Sequence, residues 1–202
     1  MRNAAWRRGF TLVELLVVVA VLAILLVLSA PSMRDFILMQ RLKGIHAQIV
    51  TDLQLARSEA MSSGQVVNVR VQEPGLMSCY VLFNDSLQSY RTLGASSRCD
   101  CTQPEGSRCT QAGTREIRTV QIPNARGVSL VVPGSEAVAF DPSTGGIVLL
   151  RTEAGVVSGS AFTVISAIDE PLKPRSLAAV VGLSGRPTVC RPVGSTMSEP
   201  SC

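Results

Sequence analysis

Histidine is all but absent from this chain of 202 residues: His46 is the only one. No site with two imidazole ligands can form, and a Ser-His-Asp triad would have to use that single ring. Lysine is nearly missing as well, with Lys43 and Lys173 standing against seventeen arginines. There is no G-x-S-x-G, no G-x-x-x-x-G-K-[ST] and no C-x-x-C. The nucleophile elbow, the phosphate-binding loop and the dithiol redox pair therefore lack sequence support. Aromatic residues make up only 4%. These absences argue against an enzyme, and they suggest no metal site and no cofactor.

An excess of positive charge is missing too, once its location is considered. The formal charge is +4, but Arg2, Arg7 and Arg8 precede the first apolar run, and the remaining 193 residues carry 16 basic and 15 acidic side chains. Bulk charge thus gives no reason to expect nucleic acid. The length suits one domain with an appendage, not two full domains.

What the chain does have is one long apolar run. Leu15–Leu28 is fourteen consecutive apolar residues, and the 21 residues Phe10–Ala30 are interrupted only by Thr11, Glu14 and Ser29. At a rise of ~1.5 Å per residue such a helix reaches ~31 Å, about the hydrocarbon thickness of a bilayer. The arginines lie before it, so the positive-inside rule keeps the N-terminus cytoplasmic and sends the rest outward. A secretory signal peptide competes, but the run ends at Ser29-Ala30-Pro31 and continues into helix-forming sequence, without an A-x-A-type exit. Glu14 is the anomaly. A carboxylate costs ~2.5–3.5 kcal/mol at the centre of a spanning helix, less near its end. It either snorkels to the interface or meets a positive partner, such as the new α-amino group that cleavage after Gly9 would create.

Arg7-Arg8-Gly9-Phe10-Thr11-Leu12-Val13-Glu14 resembles the leader and cleavage site of type IV pilins and type II secretion pseudopilins. The resemblance implies a leader, residues 1–9, removed by a prepilin peptidase after Gly9, with N-methylation of Phe10. It implies that Glu14 meets the terminal amine of a neighbouring subunit during assembly. Pro31 falls where such helices often carry a kinking proline, and it joins Glu14 as an expected assembly residue.

Beyond Pro31 the apolar positions change period. Leu38, Leu42, Ile45, Ile49, Leu53, Ala56 and Ala60 form one stripe at helical spacing, with Arg34, Arg41, Lys43, Asp52, Arg57 and Glu59 mainly off it. Ser62-Ser63-Gly64 supplies the stop. This predicts one helix over 10–62, membrane-spanning over 10–30 and amphipathic over 31–63, with His46 a packed or surface residue. From residue 64 to 202 the signals are those of strands: 66–71, 79–83, 116–121, 128–132, 137–140, 147–151, 162–168, 177–182 and 188–191. The expected fold is α+β, a long N-terminal helix carrying an antiparallel β-sandwich head. Residues 84–111 are expected as a Cys-rich surface loop and 192–202 as a polar tail.

Three segments resemble the GspH/FimT branch of the superfamily. They are Leu53–Ala60 leading into the first strand, Phe140-Asp141-Pro142-Ser143-Thr144-Gly145, and Ser184-Gly185-Arg186. The branch implies a minor pilin or pseudopilin, a structural or priming subunit of a type IV pilus or type II secretion machine. Its partners would be other pilin-like subunits, the prepilin peptidase and the inner membrane. The alternative is a DNA-binding minor pilin at the pilus tip, serving DNA uptake. FimT-like receptors carry Gly-Arg-x-Arg; here Gly185-Arg186 match, Pro187-Thr188 follow, and Arg191 is the next arginine. Lys173, Arg175, Arg186 and Arg191 form the candidate phosphate-binding patch, with ordinary solvated strand-edge charge as the competing reading.

All six cysteines, Cys79, Cys99, Cys101, Cys109, Cys190 and Cys202, follow the apolar run, in the part expected to face the periplasm. That location favours disulfides. Cys190–Cys202 would staple the tail, and the other four would tie the long loop to the sheet. A four-thiolate zinc site built from those four is the alternative.

Overall fold

The computed structural model describes residues 10–86, 99–134, 136–148, 150–151, 157–158, 161–168 and 174–202; the side chains of 27–32, 126, 150–151 and 157–158 are not among those described. The chain divides into two units, Met1–Met39 and Gln40–Cys202. The first helix, α1, runs Leu12–Ser63, within two residues of the span that apolar spacing predicts.

In the first unit the described side chains of the apolar run are exposed all round the helix, from Phe10 at 74% and Leu12 at 76% to Leu26 at 69%. A helix apolar on every side has no water-facing surface to stabilise it and calls for lipid or protein around it. Among the described residues no helix is long and apolar enough to cross a membrane; the described side chains of the run stop at Leu26.

The second unit begins with the amphipathic half of α1. Leu42, Ile49, Leu53, Ala56 and Ala60 of the expected stripe are fully buried. The strands are β1 (Val66–Gln72), β2 (Met77–Asp85), β3 (Arg115–Pro123), β4 (Ser129–Val131), β5 (Ala137–Phe140), β6 (Leu150–Arg151), β7 (Val157–Ser158), β8 (Phe162–Ile168), β9 (Arg175–Val181) and β10 (Pro187–Cys190). They form two four-stranded antiparallel sheets, ordered β3-β2-β1-β5 and β10-β9-β8-β4, and a small β6-β7 pair. Alternate residues of both sheets turn to one core shared with α1. Val67, Val69, Val71, Tyr80 and Leu82 come from one sheet and Phe162, Val164, Ala179 and Val181 from the other. Period-two alternation places these residues on the inner faces, and the burial of their apolar area is the main stabilising term.

Two irregular segments and one expected strand differ in part from expectation. Of the expected loop 84–111, residues 87–98 lie outside the described residues, and the described ends are not all at the surface. Asn84 and Asp85 extend β2, and Cys99 and Cys101 are buried with Cys79, Val81 and Phe83 against the outer face of the first sheet. Side chains of that sheet supply the segment's backbone partners: Arg70 donates to the Cys99 carbonyl at 2.9 Å, Gln121 donates to the Cys101 carbonyl at 2.8 Å, and the Cys101 N–H donates to Gln72 at 2.8 Å. Most of residues 192–202 are exposed, but Ser195 and Met197 are buried and Ser201 is bridged to Arg191. Strand 147–151 does not form as one piece. Ile147 and Val148 close a hairpin onto β5, and only Leu150–Arg151 is strand beyond them.

The cysteines pair as Cys79–Cys101, Cys99–Cys109 and Cys190–Cys202, and none is free. The tail staple expected from the sequence forms, and no thiolate is left for zinc.

Candidate functional site

The N-terminal motif is built around a helix start. The Glu14 N–H donates to Thr11 Oγ1 at 3.2 Å and the Leu15 N–H donates to the Thr11 carbonyl at 3.2 Å. Thr11 thus caps α1 by satisfying a donor that the first turn leaves without an acceptor. Thr11-Leu12-Val13-Glu14 has capping-box spacing, and it puts the Glu14 carboxylate in the first turn, where the positive end of the helix dipole favours it. Gly9 lies outside the described residues, and Pro31 lies within α1.

The two glycine turns singled out by resemblance meet in space. Gly185 has φ +73°, and a Cβ there would sit 1.9 Å from the Gly145 carbonyl oxygen. Gly146 approaches the Leu183 carbonyl so closely that a Cβ would lie 2.7 Å from it. The turn 141–146 is held from within by Asp141, whose Oδ1 accepts from the backbone N–H groups of Ser143 and Thr144 at 2.9 and 3.0 Å and from both hydroxyls. These bonds, the Ser143 hydroxyl first, hold the Asp141 carboxyl below the usual carboxylate range. From α1, Arg57 Nε donates to the Gly145 carbonyl at 2.9 Å. Three segments far apart in sequence are thereby tied together: α1, the β5 hairpin and the β9–β10 turn.

Beside this knot is an open cleft of about 420 Å³ lined by Gln54, Arg57, Ser58, Met61, Arg186 and Pro187. Arg186 is the member that the sequence motif pointed to. Arg57 sits off the apolar stripe, and sequence alone gave no sign that it would join Arg186.

The described C-terminal arginines do not form one patch. Arg175 opens β9 and is buried at 8% exposure. Arg186 and Arg191 flank β10 at opposite ends, and the pairing of Cys190 with Ala178 and of Pro187 with Val181 places Arg191 toward the Arg175 end of the sheet. At ~3.3 Å per residue, five steps separate Arg186 from Arg191 by ~17 Å. Lys173 lies outside the described residues. The expected patch fails because β10 is a regular edge strand that holds its two arginines apart, while β9 turns Arg175 inward.

Residues 7–30 match the prokaryotic N-terminal methylation motif. Residues 47–185 match the family model described as Type II transport protein GspH. This chain belongs to the GspH family. No curated protein matches the sequence. Among solved structures, the crystal structure of the Pseudomonas aeruginosa type IV minor pilin FimU is similar, with 14% identity, a TM-score of 0.48, and coverage of 81% of this chain and 98% of that one. The GspH match begins in α1 and ends at Gly185, so the glycine knot lies within it and the Cys190–Cys202 tail does not.

The amphipathic half of α1 in this GspH-family chain also buries two polar residues. Asp52 is 1% exposed; it accepts from the Tyr80 hydroxyl at 2.6 Å, and Arg118 sits 2.9 Å away as an ion pair. Burial, reinforced by the Asp52 contact, pushes the Tyr80 phenol well up. His46 is 3% exposed, shares a 3.3 Å hydrogen bond through Nδ1 with the Ser166 hydroxyl, and has no partner at Nε2 among the described residues. Burial lowers its pKa from the ordinary 6.5, against a smaller upward pull from Glu199. As pH falls through 6.5 the unfolded chain takes up a proton that the folded chain refuses, so stability rises with pH and is lost on acidification. In the window just below pH 6.5 the native chain should lose stability on acidification relative to His46→Gln, at a slope of at most about 1.4 kcal/mol per pH unit. The carboxyls of Asp100, Glu116 and Asp141 are held low and titrate below that window. Denaturant melts of both proteins across the window check this, and parallel acid limbs would contradict it.

Proposed function

We propose that this chain is a minor pilin or pseudopilin, a structural or priming subunit of a type IV pilus or a type II secretion machine. It sits in the inner membrane with one pass over 10–30, its N-terminus cytoplasmic and its head periplasmic, until it joins the filament. Cleavage after Gly9 frees Phe10 for methylation, and Glu14 neutralises the Phe10 amine of a neighbouring subunit. The observation that carries this reading is the methylation motif over residues 7–30 leading into a helix whose described apolar side chains are exposed on every side. Such a helix is stable in lipid or among other apolar helices, and in this reading it exchanges one for the other. A carboxylate near its end favours the exchange, because in lipid the charge lacks a partner that a neighbouring amine supplies. The partners are other pilin-like subunits and the prepilin peptidase.

DNA uptake is the weaker reading. With Arg175 buried and Arg191 at the far end of β10, it retains Arg186 alone among the described candidates.

Intact-mass measurement of the chain extracted from its own cells tests the processing. The expected species begins at methylated Phe10; a mature N-terminus near residue 30 would overturn the pilin reading in favour of a signal peptide.

A further inference from the structure

The cleft beside the glycine knot brings two arginines together with no carboxylate among the described residues of its walls. Arg57 uses Nε on the Gly145 carbonyl, which fixes the plane of its guanidinium, while its two terminal NH2 groups make no bond to any described residue. Arg186 is exposed and makes neither a hydrogen bond nor an ion pair with a described residue. Elsewhere in the same unit basic groups do find acids: Arg118 pairs with Asp52, Arg108 with Glu116, and Arg70 lies near Glu136. Two like charges sharing a cleft repel unless an anion lies between them, and a planar guanidinium held by its Nε presents the fork that binds carboxylate in a bidentate way. The remaining lining fits a peptide: Gln54 offers an amide, and Met61 and Pro187 offer apolar wall. A nucleic-acid backbone would instead need a row of cations to meet successive phosphates, and of the other described candidates Arg175 is buried and Arg191 lies at the other end of β10. The volume is that of a site for a side chain and its flanking backbone, not for a folded domain.

We propose that this cleft receives an acidic side chain of a neighbouring filament subunit, with Arg57 and Arg186 clamping its carboxylate. The identity of the partner as a subunit rests on the function proposed above; the carboxylate chemistry does not.

The test uses the full chain in detergent micelles, labelled so that the arginine Nε–H resonances are followed by NMR. A capped Gly-Glu-Gly tripeptide is the probe, with the capped Gly-Gln-Gly analogue, inorganic phosphate and a short DNA duplex as parallel titrations at equal ionic strength. The expected result is saturable movement of the Arg57 and Arg186 signals with the glutamate peptide and none with the glutamine analogue. Affinity should weaken at least tenfold in Arg57→Gln and in Arg186→Gln. Arg186→Gln is the decisive variant, because Arg57 also anchors the turn. Absence of a saturable shift, or undiminished affinity in Arg186→Gln, overturns the site. Tighter binding of phosphate or of the duplex than of the peptide overturns the proposed occupant. The titration is independent of N-terminal processing, so a failure here leaves the filament reading standing. Carboxylate binding by a chain that is never cut after Gly9 would instead remove the subunit as partner.

Discussion

Gly185→Ala is expected to destabilise the folded chain by about 3–5 kcal/mol, far more than a surface glycine change. Two costs add. The residue has φ +73°, a left-handed conformation that costs a side-chain-bearing residue roughly 1–2 kcal/mol. The new Cβ would also sit 1.9 Å from the Gly145 carbonyl oxygen, which is backbone and cannot rotate away. Relief requires the turn 141–146 to move, and that turn carries the Arg57–Gly145 bond of 2.9 Å and the Ile147–Leu183 bond of 3.2 Å. Losing each costs on the order of 1 kcal/mol. For a folded unit of this size the melting temperature should fall by roughly 10 °C. Gly75→Ala is the internal comparison, with φ +89° but open space around it, and should cost only about 1 kcal/mol. Equal losses from the two variants, read by thermal melts on the same preparation, would show that the close approach of the two glycine turns has no energetic weight.

Glu14→Ala is expected to abolish entry into filaments while leaving insertion and cleavage intact. Removing the charge lowers the cost of placing the helix in lipid by up to ~2.5–3.5 kcal/mol, so a folding or insertion defect is the wrong explanation for a loss. In the proposed reading, what disappears is the partner of the neighbouring Phe10 amine. Because Glu14 also stands in the first turn of a capped helix, Thr11→Ala separates the two roles. Loss of the cap costs about 1 kcal/mol of helix stability and should leave assembly nearly unchanged. Quantifying each variant in purified filaments and in membranes checks this. Normal incorporation of Glu14→Ala would reduce the residue to a helix-start carboxylate, and equal defects in both variants would assign its effect to capping.

The elements most legible in the sequence were those with a strong period. Helical spacing from Leu42 to Ala60 placed α1, and β-branched runs bounded by glycine and proline placed β5 and β8 at their observed limits. What escaped is held by contacts distant in sequence. Cys99 and Cys101 sit in a polar stretch, yet side chains of Arg70, Gln72 and Gln121 satisfy that backbone and draw it onto the sheet. Asp52 falls among the polar positions of the helix and is buried because Tyr80 and Arg118 reach it from β2 and β3. The candidate site divides in the same way. Gly9, Phe10 and Glu14 lie within one short stretch and carry their own signal, and the methylation-motif match falls on them. The Arg57–Arg186 cleft joins residues separated by most of the head and emerges only when two glycine turns close upon each other. Arg186 and Arg191 flank β10, and that edge strand holds them apart at its two ends.

Filament membership is most directly tested by photocrosslinking in living cells from a photoreactive residue placed at Leu16, on the exposed apolar helix two positions beyond Glu14. The predicted result is an adduct whose partner, identified by mass spectrometry, is a subunit that itself begins with a methylated N-terminal residue, and whose yield collapses in Glu14→Ala. A chain that is correctly cut after Gly9 yet gives no adduct to any such subunit would contradict it.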